Sequence, residues 1–185
     1  GKELIGTPDV FGFDPTKITV DCSDTGYSGY EFNRILRYEY GVQIELQQLF
    51  HVLALITIGN SREDIIKLVD SIEDIVRKKI QNSDESLLNS VEKRLGRHFE
   101  MPDWPPRHMS PREAFISDSE MVPTEKATGR VSADMITPYP PGIPAICPGE
   151  VITEQIIDYL RIEYSWGAHI QGLTDPELKM MRVVK

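Results

Sequence analysis

Two cysteines in 185 residues, Cys22 and Cys147, are too few and too far apart to build a disulfide framework, and they carry no metal-ligand spacing. Disulfide and zinc scaffolds are therefore not indicated, and a reducing, cytoplasmic setting is expected. No apolar run approaches the ~18 residues of a membrane-spanning helix, so membrane insertion is not expected. The first residues lack the basic stretch and apolar run of a signal peptide. Positive charge is also scarce. Lys and Arg number 20 against 29 Asp and Glu, a formal net charge of -9. That balance argues against binding a phosphate backbone and weakly favours cationic small molecules, although solubility alone accounts for it. Neither GxGxxG nor a Walker pattern occurs, so nucleotide binding has no signature here.

What is present is an ordinary soluble composition, 40% hydrophobic and 26% charged, with enough length for one sizeable core or two small ones. One stretch departs from it. Residues 129–150, GRVSADMITPYPPGIPAICPGE, hold five prolines and three glycines, a density that fixes backbone shape at the expense of regular helix or strand. Apolar residues (Val131, Met135, Ile136, Ile143, Ala145, Ile146) flank these prolines, so the reading is a rigid loop packed against protein. Such a loop holds Tyr139 and Glu150 at little entropic cost on binding. An architectural crossover between two strands explains the same residues.

In chain order, residues 1–15 read as a lead-in loop. Residues 16–22, TKITVDC, alternate as a half-buried strand does. Ser28 with Glu31 forms a capping box for a helix that puts Phe32, Ile35 and Leu36 on one face and ends at Gly41. The glycine turn before it, Gly26 and Gly29, is weighed as a phosphate cradle, with a plain strand-to-helix connection the better reading. Residues 42–46 (VQIEL) alternate again, and residues 52–58 (VLALITI) suit a central strand. Ser61 and Asp64 cap an amphipathic helix whose stripe is read as Ile65, Ile66, Val69, Ile72 and Val76. The order strand, helix, strand, strand, helix predicts a small α/β layer. A polar boundary at residues 81–86 leads to a short helix carrying Leu87, Leu88, Val91 and Leu95. A proline-punctuated linker with Trp104 pinned against a surface follows. The second part opens on a capping box, Ser110 with Glu113 and Pro111 at the first helical position. It continues through the rigid loop to a helix over residues 153–163 burying Ile156, Ile157 and Leu160, and closes with strands at residues 169–172 and 180–184.

Several motifs in fixed order then carry a family resemblance. TPYPPGIP (residues 137–144) followed by PGE (148–150), with SPREAF (110–115) upstream and GAHIQG (167–172) downstream, resembles the C-terminal region of the Orn/Lys/Arg decarboxylases. The likeness extends to DPTKITV, TGYSGYEFNRILRYEYGVQIE and VLALITIGN, leaving out residues 81–109. It implies a pyridoxal-phosphate enzyme of the aspartate-aminotransferase fold, in which this chain supplies an α/β fold with α+β layers. Residues 1–81 would be the small aminotransferase-like subdomain, 82–109 a linker with a short helix, and 110–185 the decarboxylase C-terminal domain. Family members hold the cofactor through the lysine of a Ser-x-His-Lys motif in a preceding domain. None of His51, His98, His108 and His169 is followed by lysine. The chain is therefore expected to be the back end of such an enzyme, inactive alone, binding no cofactor itself and partnered by the N-terminal cofactor domain in a homo-oligomer.

Removing the carboxylate of a basic amino acid takes an electron sink, supplied by the cofactor, and an acid to hold the distal cation. Glu150 is the first candidate for that acid, because it ends the rigid loop; a charge at a helix N-terminus is an equally good account. Asp134 is a weaker candidate. Tyr139 is a candidate pocket wall with a polar handle, and His169 a candidate general acid or pocket lining, against a plain structural histidine. Arg112 and Arg130 suit a carboxylate or phosphate, or fold-stabilising salt bridges. Cys147 has no visible base partner. Arginine is the preferred substrate of the parent in polyamine synthesis, with lysine and ornithine open. Two other classes stay open: a non-catalytic assembly module and a small-molecule-sensing α/β module.

Overall fold

A computed structural model of the chain describes residues 3, 5–82 and 100–185. The expected helix over residues 87–95 lies outside them. The chain divides into two compact units, Gly1–Arg94 and Leu95–Lys185. No helix among the described residues is long and apolar enough to cross a membrane.

In the first unit, alternating residues 17–21 form β1 (Lys17–Asp21), which pairs antiparallel with β3 (His51–Leu55) from Lys17↔Leu55 to Asp21↔His51. On the other side of β3 lies the two-residue β2 (Leu46–Gln47). The sheet order β1-β3-β2 puts the apolar run in the centre, as expected. That run is shorter than its composition suggests. Leu55 is already exposed and Ile58 is fully so, because β3 buries one face only, through Val52 and Ala54. Residues 42–45 likewise do not form the expected longer strand, though the Glu45 N–H still reaches the Leu53 carbonyl at 2.9 Å.

Helix α1 (Gly29–Glu39) starts on the capping box read from its sequence: the Ser28 N–H donates to the Glu31 carboxylate at 2.7 Å, and the Glu31 N–H to Ser28 Oγ at 3.1 Å. It ends where Gly41 takes φ of 61°, a left-handed conformation suited to glycine. Helix α2 (Arg62–Asn82) starts on a second such box, Ser61 with Asp64. Its buried stripe is Leu68, Ser71 and Ile75, flanked by half-buried Ile65, Ile72 and Val76. Ile66 and Val69, assigned to that stripe from their spacing, face solvent instead at 47% and 48% exposure. Phe32 and Leu36 of α1 join Leu68, Ile75, Val52, Ala54 and Cys22 in one core. Burying each large side chain in it contributes roughly 1.5–3 kcal/mol.

In the second unit, α3 (Pro111–Ile116) carries the predicted capping box, with Ser110 N–H to the Glu113 carboxylate at 2.8 Å. After it comes β4 (Ser119–Pro123), a strand the sequence pattern does not announce. It pairs antiparallel with β7 (Met180–Val184) from Ser119↔Val184 to Pro123↔Met180. A second two-stranded sheet joins β5 (Thr137–Tyr139) to β6 (His169–Gln171). Between them α4 (Glu154–Ser165), with Thr153 Oγ1 accepting the Ile156 N–H at 3.2 Å, buries Ile156, Ile157 and Leu160. These meet Ile136, Ile146, Ile152, Met181 and Val183 in the core of the unit. Trp104 is not pinned: it is 87% exposed. Backbone holds that linker instead, through the Val151 N–H to the Pro106 carbonyl at 2.8 Å.

Candidate functional site

The proline-rich stretch is laced into the second unit along both flanks. Gly129 N–H reaches the Ile152 carbonyl and Ile152 N–H the Arg130 carbonyl, each at 2.8 Å. Ser132 N–H donates to the Glu150 carbonyl at 2.8 Å, and Ile136 pairs with Ile146. Of the apolar residues flanking it, Ile136 and Ile146 are fully buried, whereas Met135 and Ile143 are exposed. The expectation of a packed loop holds for its two arms, while the tip around residues 141–143 is exposed.

At that tip the structure brings two candidates together. Tyr139 lies directly opposite His169 in the β5–β6 ladder, and both are exposed. Tyr139 is also backed by the turn that follows. A side chain at Gly142 would meet the Tyr139 ring at 3.2 Å, so glycine there leaves the ring room to lie over the turn.

Glu150 is placed differently. Its Oε2 accepts the Cys147 N–H at 2.7 Å, closing a turn on itself, and its backbone bridges Arg107. Gly149, with φ of 89°, lies so close to Met109 that a Cβ would collide with the Met109 carbonyl. The PGE motif thus has a local account: glycine for close approach and a carboxylate for turn closure. Burial pushes the Cys147 thiol up, and the charge of Glu150 adds to that. The thiol is held in its un-nucleophilic form.

Asp134 is committed to the fold. Its Oδ1 accepts from Arg182 Nε at 2.8 Å and Nη2 at 2.5 Å, and its Oδ2 accepts from Thr174 Oγ1 at 2.9 Å. Arg130 donates to Glu120 at 2.8 Å and to the Val184 carbonyl at 3.0 Å, the salt-bridge alternative. Arg112 is exposed. The glycine turn before α1 is no phosphate cradle. Gly29 N–H is spent on the Leu49 carbonyl at 2.9 Å, and a Cβ there would strike the Gln48 and His51 carbonyls.

Sequence reasoning missed the partners of Asp134, since Arg182 and Thr174 lie some 40 to 50 residues away. It also missed Glu163, a buried carboxylate one helical turn from Tyr159. Burial, then the charge of Glu163, raises the Tyr159 phenol pKa. No cluster of metal-ligating side chains occurs among the described residues. An open groove of about 620 Å³ on α2, lined by Tyr40, Asp70 and Asp74 among others, belongs to the first unit alone and includes none of the candidates.

The two units define a mixed α/β protein whose second unit is organised around a stitched proline-rich loop. Its fold is that of the corresponding part of the Francisella novicida lysine decarboxylase LdcF, with a TM-score of 0.71 and 22% identity over 96% of this chain and 32% of that one. Residues 93–179 match the family described as Orn/Lys/Arg decarboxylase, C-terminal domain, and the chain carries the C-terminal region of that family. It is 36% identical over all 185 residues to an arginine decarboxylase of Bacillus anthracis, and 33% identical to one of Bacillus subtilis (strain 168). In each case the chain spans 36% of the relative's length.

Proposed function

We propose that this chain is the C-terminal part of a pyridoxal-phosphate-dependent decarboxylase of a basic amino acid, serving polyamine synthesis in the cytoplasm as a homo-oligomer. The observation that carries this reading is the likeness along the whole chain to relatives named arginine decarboxylase. The same likeness favours arginine over lysine and ornithine, since relatives named lysine decarboxylase are less similar, at 27% and 28% identity. Residues 1–81 are read as the small aminotransferase-like subdomain and 110–185 as the decarboxylase C-terminal domain.

The described residues do not fit the cofactor. No histidine is followed by lysine, and the helix start at Gly29 has its N–H and its space already taken. No step through the cofactor is therefore assigned to this chain, whose partner in that respect is the preceding domain of the same polypeptide. Its own contribution is binding. Tyr139 and His169 offer a ring and an imidazole side by side at an exposed loop tip, suited to walling a pocket for an extended cationic side chain. Glu150, pinned by Cys147, offers a carboxylate that loses little freedom on pairing with a guanidinium.

The test is to assay the complete gene product beside this 185-residue chain for CO₂ release from arginine, lysine and ornithine, with a scan for the visible Schiff-base band. A longer product with the band, highest kcat/KM on arginine, and a silent 185-residue chain are expected. A native product of this length with neither band nor turnover would replace this reading with the assembly or sensing module.

A further inference from the structure

The β5–β6 ladder that presents Tyr139 beside His169 has only three residue pairs, and its middle pair is Pro138 with Ile170. The Pro138 carbonyl turns away from β6 to the Gly142 N–H at 3.2 Å, so the middle pair adds no hydrogen bond and only the two end pairs hold the ladder. Two hydrogen-bonded pairs are few to fix a register, and a slip of one residue turns every side chain to the opposite face. Something outside the ladder has to set which residue faces His169.

The register itself points to what does. Continued three steps past Thr137, it sets Asp134 opposite Thr174, and there the side chains join, Thr174 Oγ1 donating to Asp134 Oδ2 at 2.9 Å. The other Asp134 oxygen takes both Nε and Nη2 of Arg182 on β7. Arg182 Nη2 also donates to the Ala133 carbonyl at 3.1 Å, and the Ala133 N–H to the Arg182 carbonyl at 3.1 Å. Ser132 Oγ donates to the Asp134 carbonyl at 2.8 Å, holding its backbone as well. Between clamp and ladder, Gly172 lies so close to Met135 that a Cβ would collide with the Met135 carbonyl. The Asp134 side chain is only 8% exposed, so its charge is spent within the fold.

We propose that Asp134 is a positioning residue that keys the register of β5 against β6, and hence the Tyr139–His169 pair, to the neighbouring strand β7. A carboxylate suits the task because its two oxygens serve β7 and the segment after β6 at once, one by a charge-assisted double contact and one by a hydroxyl. The consequence for catalysis rests on the pocket reading above; the structural claim does not.

Two measurements separate the claims. In the 185-residue chain, the NOE between Tyr139 and His169 is recorded by NMR for Asp134→Ala and Thr174→Val. The expected result is loss of that NOE, or its replacement by one to a neighbour of His169, while β4–β7 NOEs such as Met121 to Arg182 persist. An unchanged Tyr139–His169 NOE in the variants that fold overturns the proposal. Should Asp134→Ala not fold, Thr174→Val decides alone, since it leaves the Arg182 contact in place. In the complete enzyme, Thr174→Val is expected to raise KM for arginine about tenfold with kcat changed less. That effect should vanish in a Tyr139→Ala background. If Tyr139→Ala itself leaves kcat/KM untouched, the pocket reading falls and the NOE result still decides the role of Asp134.

Discussion

Glu150 closes a turn on Cys147, its Oε2 accepting the Cys147 N–H at 2.7 Å. A carboxylate so used has two separable properties, an acceptor oxygen and a charge. Glu150→Gln keeps an acceptor and removes the charge, whereas Glu150→Ala removes both. Chemical denaturation of the 185-residue chain should show a loss of about 1 kcal/mol for Glu150→Ala and a smaller one for Glu150→Gln. In the complete enzyme both variants should lower kcat/KM on arginine, by at least about tenfold. Full activity in Glu150→Gln would leave the residue with its turn and nothing more.

Two glycines at the ends of α1 should respond differently to alanine. Gly29 faces the Gln48 and His51 carbonyls, so a methyl there forces helix and hairpin apart. A loss above about 2 kcal/mol is expected. Gly41 has open space apart from the Lys67 amine at 3.4 Å, and its only difficulty is φ of 61°. Alanine there should cost about 1 kcal/mol. Thermal melts of the two variants beside wild type check the order.

Burial pushes the Cys22 thiol from its ordinary 9.0 up to about 12, with the charge of Asp21 adding to it. The folded chain keeps this proton after the unfolded chain has lost it. Stability should therefore be complete below pH 9 and fall between pH 9 and about 12, by up to about 1.4 kcal/mol per pH unit from this group. Urea midpoints across that range, compared with those of Cys22→Ala, isolate the contribution. A variant with the same alkaline slope as wild type would assign the loss to other groups, the half-buried Tyr159 phenol first among them.

Trp104 should behave as a solvent-facing ring, being 87% exposed. Trp104→Phe is expected to change stability by less than about 0.5 kcal/mol and to remove most of the acrylamide-quenchable fluorescence, leaving that of half-buried Trp166.

The parts of the fold legible in the sequence are those governed by neighbours within a turn or two. All three Ser-to-acid capping boxes, at Ser28, Ser61 and Ser110, form as spaced. The face of α4 with Ile156, Ile157 and Leu160 is buried as its period requires. Helix α2 failed that test because its apolar residues support two overlapping stripes, and only the position of the sheet selects Leu68 and Ile75 over Ile66 and Val69. Strand β4, SEMVP, carries two polar residues and a proline, and becomes a strand because β7 is there to pair with it. In the candidate site, Tyr139 and His169 were readable as residue types, but their opposition was not, since it depends on a ladder closed across 30 residues. Asp134 was readable as an acid in a rigid loop; that both its oxygens were taken was visible only in three dimensions.

The prolines in and beside β5 defend the β5–β6 ladder. A strand left at a sheet edge invites pairing from another chain, because its free N–H and C=O groups form a template. Pro138 in the buried strand and Pro140 and Pro141 at the tip leave three gaps in the donor row, so an incoming strand finds no continuous ladder to extend. A segment that stays exposed is thereby kept from meeting its own copies, and protein concentration should have little hold on its conformation.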